Sequence, residues 1–133
     1  MALILADTDV LIDFLRGYAP VADRIELELQ RGLATTVISA FELWSGSLGS
    51  EPREQTMAWL LGALNIIPLD PASAKTAARI KGGLQSDGRA IAMADALIAG
   101  ICVEHDAILL TRNRRHFEAI PRLVLGSIPE NEG

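Results

Sequence analysis

The sequence is poor in cysteine, in positive charge and in long apolar runs. Cys102 is the single cysteine, which excludes an intrachain disulfide and fits a reducing compartment such as the cytoplasm. It lies in an apolar segment, so we expect it to be buried and unreactive. No segment reaches the roughly 18 apolar residues that a membrane helix needs. Residues 1–7 lack the basic leader of a signal peptide and meet Asp7 too early, so we expect no such peptide.

Basic residues are outnumbered by acidic ones, 12 against 17, which gives a net charge of −5. This balance argues against a protein that coats nucleic acid through charge alone. It leaves open an enzyme that acts on nucleic acid through a metal. Half of the 133 residues are hydrophobic, which excludes general disorder and allows one domain with a substantial core. We expect a single domain over residues 1–128 and a frayed tail at 129–133.

Short apolar or β-branched runs alternate with segments that have helical periodicity. Gly17 and Gly32 are placed to end the first two helices, and Asp70-Pro71 is a typical helix start. The alternation predicts an α/β fold with a parallel sheet that is covered by helices on both faces. The predicted strands comprise residues 2–6, 33–38, 66–69, 107–110 and 123–125, and residues 111–117 are predicted to form a polar turn.

Three acidic residues are associated with strand ends, where functional groups of parallel sheets collect. Asp7 follows the first strand, Glu42 lies one turn into the helix after the second, and Asp95 begins, or nearly begins, the helix before the fourth. Each also has an ordinary structural explanation. Asp7 and Asp95 can cap helices, with Asp95 preceding a helix that begins at Ala96, and Glu42 can form a Ser-x-x-Glu capping box with Ser39.

Carboxylates that lie close together repel one another and destabilise the fold unless a cation lies between them. Oxygen ligands with retained waters suit Mg²⁺, and Mn²⁺ accepts similar ligands. Such an ion lowers the pKa of a bound water and offsets charge on a phosphoryl oxygen. If Asp7, Glu42 and Asp95 converge at one edge of the sheet, the sequence predicts metal-dependent phosphodiester hydrolysis.

Four segments recur in a characteristic order: residues 2–12 (ALILADTDVLI), 37–43 (VISAFEL), 95–99 (DALIA) and 110–117 (LTRNRRHF). Together they resemble PIN-domain ribonucleases, in particular the VapC toxins of toxin–antitoxin pairs. Each segment alone is unspecific, but they follow the order of that family and extend over nearly the whole chain. The resemblance implies a PIN-like, three-layer α/β/α fold with a five-stranded parallel sheet. It also implies the toxin of a type II toxin–antitoxin system, which cleaves RNA as an endonuclease with Mg²⁺ or Mn²⁺.

The resemblance also assigns roles to individual residues. Asp7, Glu42 and Asp95 match the acidic residues that bind the metal and carry catalysis. In the mechanism we expect, Asp7 and Asp95 bind the metal directly, and Glu42 binds it through water or orients the attacking water. Supporting or substrate-contacting positions are Thr8, Ser39, Thr111, Arg112, Asn113 and His116.

His116 departs from the family pattern, because many members carry a fourth acid directly before the Phe of this turn. Whether one or two metal ions bind therefore stays open. His116 either contacts a phosphate or a substrate hydroxyl, or it is an ordinary surface residue of a basic turn. Similarly, Arg112, Arg114 and Arg115 either hold the RNA backbone or are solvated in that turn.

The resemblance further implies a VapB-like antitoxin that covers the acidic site, and a homodimer. Hydrophobic helix faces, with Trp44 and Trp59, are candidates for the antitoxin contact, although we expect at least one tryptophan to pack in the core.

Two other functions stay open. One is a phosphatase of haloacid-dehalogenase type, with Asp7 as nucleophile and Asp9 as acid, although Leu11 stands where that family has Thr or Val. The other is a PIN domain that has lost catalysis and only binds a partner. The unusual His116 is the sole support for this second alternative.

Overall fold

A computed structural model describes residues 2–128, and the tail predicted at 129–133 lies outside these described residues. Five parallel strands form one sheet in the order β3-β2-β1-β4-β5. The predicted α/β fold with a five-stranded parallel sheet is therefore confirmed. In chain order the elements are β1 (Ile4–Ala6), α1 (Thr8–Arg16), α2 (Ala19–Arg31), β2 (Ala34–Thr36), α3 (Val37–Ser47), α4 (Glu51–Gly62), β3 (Asn65–Ile67), α5 (Pro71–Ser86), α6 (Met93–Glu104), β4 (Ile108–Leu110), α7 (Arg114–Phe117) and β5 (Val124–Leu125).

Successive residues of the central strand β1 pack on opposite faces of the sheet. Leu5 shares a buried cluster with Cys102 of α6, whereas Ala6 belongs to a second cluster with Leu11 of α1 and Leu60 of α4. Since the side chains of a strand alternate between its two faces, helices cover the sheet on both sides in three layers. Cys102 is buried as predicted, and this burial raises the pKa of its thiol to about 12.

Helices α5 and α6 approach each other closely at Gly100. A Cβ atom at this position would lie 2.5 Å from the carbonyl oxygen of Ser73 and 2.8 Å from the Cβ of Ala77. Only glycine fits such a backbone approach without displacement of a helix. The contact thereby fixes the position of α6, which carries Asp95 in its first turn.

The start of α3 differs from the prediction. The second strand ends at Thr36, and Val37 already belongs to the helix. Thr36 is the N-cap residue, since its Oγ1 accepts a hydrogen bond from the backbone N–H of Ser39 at 3.1 Å. The predicted capping box of Ser39 and Glu42 is therefore wrong, and Glu42 is free for other contacts.

The surroundings of Asp95 also differ from the prediction. Helix α6 begins at Met93 with Ala92 as its N-cap residue, so Asp95 does not cap a helix that begins at Ala96. Instead, Asp95 lies in the first turn, where the helix dipole favours a carboxylate. The polar turn predicted at 111–117 contains the short helix α7.

Both tryptophans are exposed to a large extent. Trp44 is 47% exposed and Trp59 is 59% exposed, so the prediction that at least one packs in the core is wrong. The ring of Trp59 stacks on Phe14 with a centroid separation of 6.4 Å. Among residues 2–128, no helix has the length and apolar character needed to cross a membrane.

Candidate active site

The candidate site lies at the carboxyl end of the sheet. Asp7 follows β1, and Thr111 follows the adjacent strand β4. The backbone N–H of Asp7 donates to the carbonyl oxygen of Leu110 at 2.9 Å, which extends the strand pairing into the site. Asp7 and Thr111 are therefore positioned by the two central strands rather than by a loop.

The carboxylate of Asp7 is only 5% exposed and accepts two hydrogen bonds. Its Oδ1 accepts from the backbone N–H of Thr8 at 2.8 Å, and its Oδ2 accepts from the hydroxyl of Thr111 at 2.8 Å. Asp7 is also the N-cap residue of α1. The capping explanation for Asp7 is thus confirmed, and it does not conflict with a place in the acidic site.

The pKa of Asp7 is raised from 3.8 to about 6. Burial is the largest cause, followed by the negative charge of Asp9, and the charge of Asp95 adds to the effect. The hydrogen bonds from Thr111 and Thr8 oppose the rise because they favour the ionised form. Asp7 and Asp95, which are distant in the sequence, are therefore close enough in the fold for their charges to interact.

Asp9 is a member of this acidic region that the sequence did not assign to the site. Its Oδ2 accepts from the backbone N–H of Arg112 at 3.1 Å. Its Oδ1 is buried and has no hydrogen-bond partner among residues 2–128. Burial raises the pKa of Asp9 as well. The available signal was its position two residues after Asp7, in the first turn of α1.

Glu42 is connected to Asp7 through a hydrogen bond from the hydroxyl of Thr8. Its Oε1 accepts a hydrogen bond from Oγ1 of Thr8 at 2.8 Å, and Thr8 in turn donates its backbone N–H to Asp7. Thr8 therefore connects the two carboxylates through hydrogen bonds. The exposed Glu42 lies on the solvent side of this connection, whereas Asp7 is buried.

The carboxylate of Asp95 is in contact with the ring of His116. Nδ1 of His116 lies 3.1 Å from Oδ2 of Asp95. The side chain of His116 is 56% exposed, so His116 is a surface residue of α7 that also contacts an acid of the site.

Of the other predicted polar residues, Thr111 and Asn113 are joined to the site, and Ser39 is not. The hydroxyl of Thr111 donates to Asp7 and accepts from the backbone N–H of Asn113 at 3.1 Å, so its orientation is fixed from both sides. Ser39 is buried, and the hydrogen bond to its hydroxyl comes from Thr36 at 3.4 Å. Among the described residues, Ser39 has no side-chain hydrogen bond to any of the acids.

The arginines of the 112–115 segment differ in what they contact. Arg112 forms an ion pair with the buried Asp13, and Arg114 donates to the carbonyl oxygen of Gly126 at 2.9 Å. Arg115 lines a cleft beside Asp95 together with Arg89. The sequence did not predict that Asp13 would pair with Arg112. Asp13 lies four residues after Asp9 and thus on the same face of α1.

The donors of the site fit a hard divalent cation. They are carboxylate oxygens, and the negative charges of Asp9 and Asp95 are part of the cause of the raised pKa of Asp7. Within the described part of the chain, no three His, Cys, Asp or Glu side chains are grouped closely enough to hold a metal ion by themselves. Mg²⁺ usually takes one or two protein carboxylates and retains several waters, and Asp7 with Asp95 would supply that number.

Comparison with known proteins identifies the family. A model of the PIN domain matches residues 4–123. This chain belongs to the PIN domain family. The match extends over nearly all of the described sheet and its helices, so the resemblance found in the sequence is confirmed. Family membership sets aside the alternative of a phosphatase of haloacid-dehalogenase type.

Individual relatives match over most of their length. The chain is 32% identical to Ribonuclease VapC10 of Mycobacterium tuberculosis over 123 residues, which is 91% of this chain and 90% of that protein. It is 26% identical over 124 residues to the tRNA(fMet)-specific endonuclease VapC of Shigella flexneri, which is 90% of this chain and 93% of that protein. The fold is similar to the crystal structure of DNA-bound VapBC from Salmonella typhimurium, with a TM-score of 0.81 and 25% identity over 95% of this chain and 98% of that chain.

Proposed function

We propose that this PIN-domain protein is a metal-dependent endoribonuclease and the toxin of a type II toxin–antitoxin pair. The names of its relatives support the activity, since they are a ribonuclease and a tRNA-specific endonuclease. The acidic region at the carboxyl end of the sheet is the proposed catalytic site. We also propose that the protein acts in the cytoplasm, where its RNA substrate and its antitoxin are made.

The observation that carries the proposal is the environment of Asp7. This carboxylate is buried at the end of a central strand, beside the negative charges of Asp9 and Asp95, and its pKa is raised to about 6. Such an arrangement costs folding free energy when no cation is present. A divalent cation bound between these carboxylates would offset this unfavourable free energy, which explains why the arrangement is present.

Each residue has a role that its contacts support. Asp7 and Asp95 are the proposed direct ligands, and Glu42 binds through water or orients the water that attacks the phosphorus. When bound, Mg²⁺ or Mn²⁺ supplies an electrophile that offsets the charge that develops on the phosphoryl oxygens. Four positioning residues complete the site. The hydroxyl of Thr8 donates to Glu42, and the hydroxyl of Thr111 donates to Asp7. The backbone N–H of Asn113 donates to Thr111, and the ring of His116 contacts Asp95.

We assign Ser39 to structure rather than to the site because its contacts run to Thr36. Arg112 is assigned mainly to the fold because it is paired with Asp13. Both assignments are tested by substitution to alanine, which should affect stability more than the affinity for RNA.

A VapB-like antitoxin is the proposed protein partner. Similar folds occur in VapBC complexes, including the one from Salmonella typhimurium. Exposed apolar side chains on this chain offer a surface for such a partner. Phe41 and Trp44 lie at helical spacing on α3, Leu48 follows as the C-cap residue of that helix, and Trp59 is exposed on α4. We also propose a homodimer, which light scattering of the purified chain will test.

The experiment that tests the proposed activity is cleavage of total RNA by the purified chain. Reactions contain Mg²⁺, Mn²⁺ or chelator, and an Asp7→Ala chain is purified in the same way as a control for contaminating nucleases. We expect discrete fragments that require both the metal and Asp7. Cleavage that persists in chelator or in the Asp7→Ala chain would contradict the proposal.

A PIN domain that only binds a partner is the second candidate, and His116 in place of an acid is the observation that favours it. It predicts a folded chain that captures its antitoxin but shows no cleavage with either metal. A calorimetric titration with Mn²⁺ separates the two functions further, because a chain that has lost catalysis through loss of its metal site releases no binding heat.

A further inference from the structure

A cleft of about 180 Å³ lies directly beside Asp95, between the segment that precedes α6 and the short helix α7. Its wall contains two arginines, one imidazole and one carboxylate, and the remaining lining is apolar. The residues that line it are Leu84, Arg89, Ala90, Ile91, Ala92, Asp95, Arg115, His116 and Ala119. We call it the Arg89–Arg115 cleft.

Arg89 and Arg115 converge on this cleft from separate parts of the chain. Arg89 precedes α6 and Arg115 belongs to α7, so only the packing of α6 against α7 brings the two guanidinium groups to one cleft. Both side chains are exposed. Neither has an ion pair or a side-chain hydrogen bond to any residue within 2–128. Two such cations at one cleft, in a chain of net charge −5, are suited to an anionic ligand.

The neighbouring arginines do not compete for this role. Arg112 is paired with Asp13, and Arg114 is bonded to the carbonyl oxygen of Gly126. The cations available to a ligand near Asp95 are therefore not the whole 112–115 segment but Arg115 together with Arg89. Arginine is well suited to phosphate because its planar donors bind two oxygens at once.

We propose that the Arg89–Arg115 cleft binds a backbone phosphate of the RNA substrate, next to the phosphate that is cleaved at the acidic site. The proposal rests on the proposed ribonuclease function and extends it with a substrate-binding site. The location supports it, since Asp95 belongs both to the acidic site and to the wall of the cleft. A phosphate contact carries no base information, so the cleft adds affinity and register but no sequence preference.

The test measures RNA binding without cleavage. A fluorescein-labelled single-stranded RNA is titrated with the Asp7→Asn chain in chelator, and anisotropy is recorded at several salt concentrations. Four chains are compared in this background: the parent, the double variant Arg89→Ala/Arg115→Ala, the charge-retaining variant Arg89→Lys/Arg115→Lys, and the control Arg79→Ala. Arg79 is an exposed arginine of α5 that lines a different cavity. Thermal unfolding of each chain verifies that the fold is retained.

We expect the double variant to bind RNA more weakly than the parent, with a slope of log K against log salt that is smaller by about 0.7, the value for one lost phosphate contact on a single strand. Arg79→Ala should leave affinity and slope unchanged. Arg89→Lys/Arg115→Lys should retain most of the slope, because it keeps the charge, while losing part of the affinity.

The other outcomes contradict the proposal in distinguishable ways. If the parent binds RNA and the wild-type chain cleaves it, but the double variant behaves as Arg79→Ala does, only the role of the cleft is wrong. If the parent binds no RNA and the wild-type chain cleaves none, the ribonuclease function fails and the cleft proposal fails with it. If the double variant loses capture of the antitoxin but keeps RNA affinity, the ligand of the cleft is a peptide carboxylate rather than a phosphate.

Discussion

Nδ1 of His116 lies 3.1 Å from Oδ2 of Asp95. His116, which stands where the resemblance to PIN-domain ribonucleases implies an acid, is therefore in direct contact with a proposed metal ligand. An imidazole here can orient the carboxylate, whereas an acid would add a further oxygen donor to the site.

Substitution of His116 by Asp should strengthen metal binding. The new carboxylate adds an oxygen donor and a negative charge beside Asp95, so we expect the affinity for Mg²⁺ or Mn²⁺ to rise and the number of bound ions to approach two. Isothermal titration of the wild-type, His116→Asp and His116→Ala chains measures both quantities.

The matched control is His105→Asp, at the opposite end of α6, where the ring contacts the carbonyl oxygen of Ile101 at 2.9 Å. It adds the same charge away from the site and should leave metal affinity unchanged. Equal titration curves for His116→Asp and wild type would show that position 116 does not influence the metal.

Asp7→Asn should abolish RNA cleavage and stabilise the metal-free fold at neutral pH. The pKa of Asp7 is raised from 3.8 to about 6 in the folded chain, so the unfolded chain loses this proton at lower pH than the folded chain does. The contribution of Asp7 to stability is therefore complete below pH about 4 and is lost as the pH rises through about 6. The difference between the two pKa values corresponds to a loss on the order of 3 kcal/mol.

Urea unfolding in chelator between pH about 4.5 and 7.5 measures this effect. The stability of Asp7→Asn relative to wild type should increase with pH, and Mg²⁺ should stabilise the wild type alone. Asp23→Asn, at an exposed position of α2, serves as the control. Parallel pH curves for the wild-type and Asp7→Asn chains would contradict the prediction.

Thr111→Val should weaken metal binding through Asp7. The hydroxyl of Thr111 donates to Asp7 and accepts from the backbone N–H of Asn113, and its loss removes a bond that favours the ionised carboxylate. We expect metal affinity to fall about 10- to 100-fold and stability to fall by about 1–3 kcal/mol. Calorimetry and urea unfolding check the two effects. Thr56→Val, which removes a hydroxyl bonded to the carbonyl oxygen of Pro52, should not alter metal affinity.

Arg112 and Asp13 should behave as a coupled structural pair. Asp13 is 3% exposed, whereas the side chain of Arg112 is 40% exposed. Removal of the Arg112 cation therefore leaves a buried carboxylate without its ion-pair partner, and water entering the vacated space solvates that carboxylate only in part. We expect Arg112→Ala to cost about 1–3 kcal/mol of stability and Arg112→Ala/Asp13→Asn to recover part of it. A double-mutant cycle in urea measures the coupling. Additive single effects, or a salt slope of RNA binding that falls in Arg112→Ala, would contradict a structural role.

Gly100→Ala should destabilise the fold and lower activity together. The added methyl group would lie 2.5 Å from the carbonyl oxygen of Ser73, and the separation of α5 from α6 costs about 1–3 kcal/mol. Since α6 carries Asp95, the displacement also disturbs the site. Gly82→Ala is the matched control: it lies within α5, has no atom within 4 Å of the added Cβ, and should stabilise the fold by up to about 1 kcal/mol.

The sequence alone predicted which segments form strands and helices, and it located the acids near the ends of strands. These features follow from local rules, namely apolar periodicity, caps and glycine stops. The local rules were insufficient at Thr36, where the β-branched run Thr-Thr-Val-Ile is compatible with strand and with helix. Strand pairing ends at that residue, and its side chain caps α3.

Only the tertiary structure decided which side chains meet. The contacts of His116 with Asp95 and of Arg112 with Asp13, and the shared cleft of Arg89 and Arg115, join residues from different elements. Such contacts depend on how α1, α6 and α7 pack beside the sheet and on the direction of each side chain. Sequence spacing does not determine helix packing or side-chain direction. The arginines of the 112–115 segment are therefore indistinguishable in the sequence, and they differ only in the residues that they contact in the fold.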